Sequence, residues 1–251
     1  MSQLEVKGVS YRFPNGTIAL QDISFMIDKG EFVVISGKNG SGKTVLLRVL
    51  NGLIKPTTGY ISIKGVSVTD NPYEARRQLG LVFQQADSQI VGQTVSKDIA
   101  FGLENIGLSK DEVTLRVAQT LEITDLSKHA HQRPRTLSGG EKRRLTIAGV
   151  VAMAPNIIAL DEPFTNLDYP GVLQVLKQLI QLKEMGHTII VVTHDLEKVL
   201  AHASRLILMD NGSIVANGTP LEALPVAKDC GVRMTHEPTS DRIREMTWLR
   251  N

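Results

Sequence analysis

The sequence predicts an α/β fold: a mainly parallel sheet, joined by an N-terminal antiparallel β subdomain and a helical subdomain. Three observations carry that expectation. The runs Phe32-Val33-Val34-Ile35, Ile157-Ile158-Ala159-Leu160 and Thr188-Ile189-Ile190-Val191-Val192 are continuously apolar and rich in β-branched residues, as strands covered on both faces of a parallel sheet are. The opening segment alternates instead. Leu4, Val6, Ile23, Phe25 and Ile27 fall on one face with Glu5, Lys7 and Ser24 between them, the period of half-buried antiparallel strands. Between the apolar runs lie segments with helical spacing.

Taken in order, the elements justify themselves locally. The stretch from about Ser96 to Lys128 is more polar, and Asp98-Ile99-Ala100-Phe101-Gly102-Leu103 and Val113, Leu115, Val117, Leu121 suggest several helices forming a separate lobe. Val172, Val175, Leu176 and Leu179 recur at helical spacing behind Asp168 and Pro170, which are good start signals. Leu206-Ile207-Leu208-Met209 ends in Asp210-Asn211-Gly212, which suits a hairpin turn. After Pro225 the chain mixes Lys228, Asp229, Arg233, Glu237, Asp241, Arg242 and Arg244 with one Trp248. Such a tail reads either as a small end-piece or partner contact, or as a loosely packed terminus.

Composition excludes several classes. A chain of 251 residues can bury a real core. Lys+Arg 28 against Asp+Glu 26 leaves +2, which predicts no nucleic acid or other large polyanionic partner. The local runs Arg76-Arg77 and Lys142-Arg143-Arg144 read as solvated helix faces. The single Cys230 excludes an internal disulfide and suits a reducing compartment. Met1-Ser2-Gln3-Leu4-Glu5 has neither basic head nor apolar stretch, so no signal peptide is expected. No apolar run approaches the roughly 18 residues of a membrane span. The expectation is a soluble chain; if it works at a membrane, something else crosses it.

Gly37-Lys38-Asn39-Gly40-Ser41-Gly42-Lys43-Thr44 follows the buried strand ending at Ser36 and opens the helical segment 45–50. That is the context a phosphate-binding loop needs. Its glycines let the backbone curl with N–H groups inward, and the helix N-terminus adds partial positive charge. Lys43 would reach the β- and γ-phosphates of a nucleoside triphosphate, and the Thr44 hydroxyl would ligate Mg²⁺. The predicted architecture is therefore that of a P-loop NTPase core.

Asp161-Glu162 follows the strand 157–160, at the C-terminal strand ends where α/β sheets place ligands. Asp161 would hold the metal, and Glu162 could face the γ-phosphate and polarise an attacking water. His194 ends the strand 188–193 in the same layer and could stabilise charge developing at that phosphate. His129, His131, His187, His202 and His236 have no motif around them and read as surface or packing residues. One motif is surplus. Leu137-Ser138-Gly139-Gly140-Glu141 offers a second anion-binding helix start that a lone P-loop domain has no use for. It looks like half of an active site that a second chain completes.

In this order, these motifs resemble the ATP-binding cassette (ABC) ATPases, a likeness running to about Glu222. Leu137–Glu141 is similar to that family's signature motif, which binds the γ-phosphate of ATP held by the opposite subunit, so that two chains sandwich two nucleotides. The resemblance implies further roles. Tyr11, in the loop after the first strand, would stack on adenine. Gln84 would touch Mg²⁺ and contribute to catalysis with Lys43, Glu162 and His194. Asn166-Leu167-Asp168 matches the D-loop, whose aspartate reaches across the dimer interface. The implied cofactors are ATP and Mg²⁺. The implied partners are a second cassette protomer, identical or related, and a transmembrane coupling subunit with a substrate-capture membrane protein. The implied location is peripheral, on the cytoplasmic face of the cell membrane.

Within the cassettes, Phe83-Gln84, Asp87-Ser88-Gln89, Thr94-Val95 and Asp98–Asn105 resemble the ATPases of energy-coupling factor importers, which take up metal ions and vitamins. The implied division is an ATPase domain over 1–225, with a helical subdomain at about 88–152, and a short tail over 226–251. This sequence departs from that group's pattern at Gln85-Ala86-Asp87 (more usually Asn-Pro-Asp), at Glu141 (Gln in many cassettes) and at Asn166 (more usually small). The chain is also short for the group, so any C-terminal dimerisation lobe should be reduced. Two other readings are a soluble ABC ATPase of repair or translation and a regulatory module that does not hydrolyse ATP. The first usually carries a long coiled coil or two cassettes; the intact Lys43, Glu162 and His194 argue against the second. A P-loop small-molecule kinase would leave Leu137–Glu141 unexplained.

Overall fold

The computed structural model describes residues 2–232 and 239–249. The expectation for His236, and those touching Arg233 and Glu237 in the tail, lie outside the described residues. Strands β1 (Ser2–Arg12) and β2 (Ile18–Asp28) form an antiparallel pair. The alternation buries Leu4, Val6, Ile23, Phe25 and Ile27 and leaves Ser24 exposed. The next strand, β3 (Phe32–Ser36), is buried throughout and runs through the glycine loop into α1 (Lys43–Leu50). Strands β4 (Thr58–Ile63) and β5 (Val66–Ser67) complete a sheet of order β2-β1-β4-β5. Helix α2 (Pro72–Gln78) leads to β6 (Leu79–Val82).

Three helices follow: α3 (Val95–Asn105), α4 (Lys110–Ile123) and α5 (Gly139–Ala152). The chain then alternates through β7 (Ile157–Asp161), α6 (Tyr169–Glu184) and β8 (Thr188–Val192). It closes with β9 (Arg205–Asp210), β10 (Ser213–Gly218), α7 (Pro220–Ala223) and α8 (Ser240–Glu245). The main sheet has the order β10-β9-β3-β8-β7-β6 and is parallel except for the β9–β10 hairpin. That hairpin turns at Asn211 (φ 46°) and Gly212 (φ 80°), the two positive dihedrals that a tight primed turn demands.

Because the main sheet is covered on both sides, successive residues of β3 serve different cores. Phe32 and Val34 pack with Ile147 of α5 and Leu176 and Leu179 of α6. Val33 and Ile35 pack with Leu46 and Leu50 of α1 and with Ile23 and Ile61 of the antiparallel sheet. Each such side chain contributes about 1.5–3 kcal/mol, so the glycine loop springs from a strand clamped on both faces. Helix α6 begins as expected at Asp168, whose Oδ1 accepts the Gly171 N–H at 3.0 Å, and it buries Val172, Val175, Leu176, Leu179 and Leu182.

The three middle helices have a core of their own, built on Val95, Ile99, Leu103, Val113, Leu121, Leu145 and Ala148. Helix α5 therefore packs on two sides, because its Ile147 and Val150 face the main core. This corrects the reading of Lys142-Arg143-Arg144 as a solvated face: Arg143 and Arg144 are buried, since α5 has little free surface. Arg76 and Arg77 are exposed on α2, as expected. At the C-terminal end, Ala227, Cys230 and Val232 are buried in the main core, with Met246, Trp248 and Leu249 packed against it. The Trp248 ring lies 5.4 Å from that of Tyr169, and Lys198 Nζ sits 4.7 Å over it.

Candidate functional site

The glycine loop is shaped by close backbone approaches. Gly37 has φ 148°, and a Cβ there would come within 2.1 Å of the Met209 carbonyl. Gly42, with φ 100°, would meet the Ala19 carbonyl at 2.5 Å. No other residue fits either position. Lys43 turns back into the loop and donates to the carbonyls of Gly37 (2.7 Å) and Lys38 (2.9 Å). Burial pushes its ammonium pKa down, while Glu162 and Asp161 pull it up. The loop thus holds a cation at the N-terminus of α1, an arrangement suited to an anion.

A cavity of about 390 Å³ opens over this loop, lined by Asn39, Gly40, Gly42, Lys43 and Thr44, and across from them by Gln84, Asp161, Glu162 and His194. Four segments distant in sequence meet there because β3, β6, β7 and β8 end side by side in one parallel sheet. Gly37, Lys38 and Ser41 form the loop behind this lining. The Lys38 side chain pairs with Asp210 at 2.7 Å, and its N–H donates to the Cys230 carbonyl at 3.1 Å.

Tyr11 is placed differently from its expectation. It belongs to β1 rather than to a following loop and packs part-buried against the core. The aromatic lining the cavity is Phe13, edge-on to Tyr11 at 5.1 Å. Its signal was available: Phe13 immediately precedes the turn Pro14-Asn15-Gly16, where a side chain leaves the pleat.

The acidic pair divides its contacts. Thr44 Oγ1 donates to Asp161 Oδ1 at 3.2 Å, bringing a hydroxyl and a carboxylate oxygen together as hard oxygen donors. Such a pair fits Mg²⁺, which binds through one or two protein oxygens plus phosphate and water. Burial pushes the Asp161 carboxyl up; the Thr44 hydroxyl, Arg48 and Lys43 oppose this, and Glu162 adds to it. A carboxyl raised on folding stabilises the fold below the ordinary carboxylate range, and that contribution is lost as pH rises through the raised value. Asp161→Asn keeps the Thr44 bond and removes the loss. The nucleotide-free D161N chain should melt above the parent near neutral pH, converge with it at about pH 4, and lose Mg²⁺-dependent ATP hydrolysis. A lower melting temperature at neutral pH would contradict this.

Glu162 has φ 47°, a conformation that costs a non-glycine residue about 1–3 kcal/mol and clusters at functional sites. Its N–H donates to the Val192 carbonyl at 2.8 Å. Its carboxylate accepts from Thr193 Oγ1 (3.2 Å), from the His194 N–H (3.2 Å) and from His194 Nδ1 (2.8 Å). The end of β8 thus grips the carboxylate, while the His194 ring stays mostly exposed.

Ser138, Gly139 and Gly140 line a second cleft with Asn166, Leu167 and Asp168. Among the described residues it shares none with the first. Helix α5 starts at Gly139 with Ser138 as its N-cap, in line with the expected helix start. Ser138 Oγ accepts from the Glu141 N–H (3.3 Å), and Glu141 accepts from the Ser138 N–H (2.7 Å), a capping box. Glu and Gln both close such a box, so it accommodates Glu at 141, which also lies 3.3 Å from His129 Nε2. The two glycines differ. A Cβ on Gly140 would lie 3.2 Å from the Gly171 Cα, so it permits the α5–α6 approach, whereas one on Gly139 meets nothing closer than 3.6 Å. Asn166 has φ 61°, a region Asn tolerates well.

Sequence reasoning singled out Gln89 and Asp98 only within the importer resemblance and missed that they brace the segment after β6. Gln89 accepts from the Phe83 N–H (3.0 Å) and donates to the Leu81 carbonyl (3.2 Å). Asp98 accepts from the N–H groups of Val91 and Gly92, each at 2.7 Å. These partners lie six to eight residues apart, a spacing that follows neither helix nor strand periodicity.

A family model described as ABC transporter matches residues 20–165. The chain belongs to the ABC transporter family. This ABC protein is 41% identical over 225 residues to the energy-coupling factor transporter ATP-binding protein EcfA of Methanococcus maripaludis, covering 88% of this chain and 81% of that one. It is 43% identical over 234 residues to EcfA2 of Caldanaerobacter subterraneus, covering 90% and 82%. Among solved structures, cbiO1 from Clostridium perfringens, described as part of the ABC transporter complex cbiONQ, superposes with a TM-score of 0.82 at 33% identity, covering 93% of this chain and 96% of that one. A dimeric ATP-binding cassette in a post-hydrolysis state, bound to ADP and Pi, gives 0.77 at 30% identity, covering 86% and 98%. The chain is an ATPase whose hydrolysis of ATP to ADP and phosphate is coupled to transport. Among the described residues, no helix is long and apolar enough to cross a membrane.

Proposed function

We propose that this chain is the ATP-hydrolysing subunit of an energy-coupling factor importer, working as one of two cassettes that close over two ATP molecules. The observation that carries the reading is the separation of the two clefts. The phosphate loop and Glu162 share one cavity, while the signature residues open another with no residue in common. A second protomer would bring its Ser138–Gly140 to the γ-phosphate held by Lys43, and ours would serve its nucleotide in return.

In that cycle Lys43 exchanges two main-chain carbonyls for phosphate oxygens, and Phe13 takes the adenine-stacking role in place of Tyr11. Thr44, Asp161 and Gln84 would hold Mg²⁺, which neutralises charge on the phosphates. The exposed His194 ring swings from Glu162 to the γ-phosphate, freeing Oε1 to orient or deprotonate the attacking water. Phosphoryl transfer depends above all on positioning and charge stabilisation, so an open monomer should hydrolyse slowly.

An apolar groove of about 390 Å³ lies among α2, α3 and α5, lined by Tyr73, Val91, Phe101, Ile106 and Met153 among others. Tyr73, Val91 and Phe101 are each at least half exposed, large apolar groups of the kind that mark interaction sites. It suits a helix of a transmembrane coupling subunit, which would hold this chain peripherally at the cytoplasmic face of the membrane.

One paired experiment tests the assignment on the complex purified from membranes. Phe13→Ala should weaken ATP binding about 2–10-fold, the worth of one aromatic contact, and leave the complex intact. Phe101→Asp should leave ATP affinity unchanged and lose the membrane subunit. A complex that survives Phe101→Asp, or unaltered ATP affinity in Phe13→Ala, would contradict the corresponding half.

A further inference from the structure

Arg143 lies one helical turn into α5, beyond the signature glycines, and is 3% exposed although charged. Its guanidinium spans the carbonyls of Phe83 and Gln84, donating from Nη1 and Nη2 at 2.6 Å each. A planar fork suits two adjacent acceptors, as a lysine ammonium does not. Beside it, Lys142 Nζ lies 2.7 Å from Asp87. Burial pushes the Arg143 guanidinium pKa down, and the Asp161 carboxylate pulls it up, so the tie runs within the field of the candidate metal site.

The segment it grips is itself stiff. Gln89 closes its start onto Leu81 and Phe83, and Asp98 pins its end at Val91 and Gly92. A displacement of Gln84 is therefore not absorbed in the loop. It passes through the guanidinium to α5, whose first residues are Gly139 and Gly140.

We propose that Arg143 is a positioning residue that makes the Gln84 segment and the signature helix move as one body. Nucleotide engaged by Gln84 in one site then sets how Ser138–Gly140 are presented to the nucleotide of the other protomer. The inference rests on the reading that Gln84 acts at its own site and the signature across the interface. It gives the two sites of a dimer a mechanical reason to be coupled.

The test uses the full chain with ATP and Mg²⁺, on its own for binding and dimerisation and in its complex for hydrolysis. Coupling between sites typically changes affinity about 5–150-fold. Arg143→Met should keep ATP binding to the dilute monomer within about twofold of wild type, while ATP-driven dimerisation weakens by a factor in that coupling range. The Hill coefficient of hydrolysis should fall to about 1. Arg143→Lys keeps the charge but bridges one carbonyl at a time, so it should fall between. A purely structural role would lower the melting temperature and rate without altering cooperativity.

Gln84→Ala separates the two levels. If it keeps wild-type rate and cooperativity, the reading of Gln84 falls and the proposal with it. If Gln84→Ala loses cooperativity while Arg143→Met keeps it, the proposal alone is overturned. Should Arg143→Met melt below the assay temperature, Arg143→Lys decides, and wild-type cooperativity in that variant overturns the proposal.

Discussion

Glu162→Gln will abolish most ATP turnover and leave ATP binding in place. The side chain keeps its size and its position at β7's end; its amide oxygen can still accept from His194 while its NH2 group faces the Thr193 hydroxyl and can donate to it, so the cavity keeps its shape. What is lost is a carboxylate able to polarise water, and positioned acid–base groups contribute about 10²–10⁴-fold. The substitution also removes the like charge beside Asp161, which helps raise that carboxyl, so stability should not fall. Steady-state hydrolysis by the purified variant, with contaminating ATPase removed, should drop by a factor in that range while equilibrium binding of ATP persists. An unchanged rate would refute the role of Glu162.

Gly139→Asp will be nearly as damaging, for an electrostatic reason, and Gly139→Ala will not. A Cβ at 139 meets nothing closer than 3.6 Å, so alanine fits on the first turn of α5. Aspartate there sets a carboxylate at the helix start that the proposed dimer would offer to a γ-phosphate, turning an attractive terminus into like-charge repulsion. Each oxyanion-stabilising group removed costs about 10²–10³-fold in turnover, and a repelling charge should cost at least as much. ATP binding by the dilute monomer should be untouched, since the phosphate loop lies in the other cleft. Measuring turnover and monomer affinity for both variants checks this, and equal losses in the two would point to packing instead.

The parts legible in the sequence were those in which a residue's job is local. Continuous apolar runs located β3, β7, β8 and β9 but not β6 (Leu79–Val82), and Gly37 to Thr44 announced the tight loop between β3 and α1 because backbone curvature there needs glycine. Asp161, Glu162 and His194 could be grouped because strand ends of one parallel sheet lie together. Contacts settled by tertiary packing were invisible. Arg143 and Arg144 looked like a solvated face, because nothing in Lys142-Arg143-Arg144 says that α5 is sandwiched between two cores. Tyr11 and Phe13 are two residues apart, and only the end of the β1 pleat decides which one meets the cavity.

The central claim is that each chain supplies half of two active sites. It is tested most directly by mixing two variants in the Glu162→Gln background and measuring ATP retained after gel filtration. One carries Lys43→Ala, the other Gly139→Asp, and each alone should retain no ATP. In the mixed dimer, the intact Lys43 of the second faces the intact signature of the first, so the mixture should retain about one ATP per pair of chains, set by the P-loop and signature positions. If the mixture retains none, or the Gly139→Asp chain alone retains as much as its Glu162→Gln parent, the shared site is contradicted.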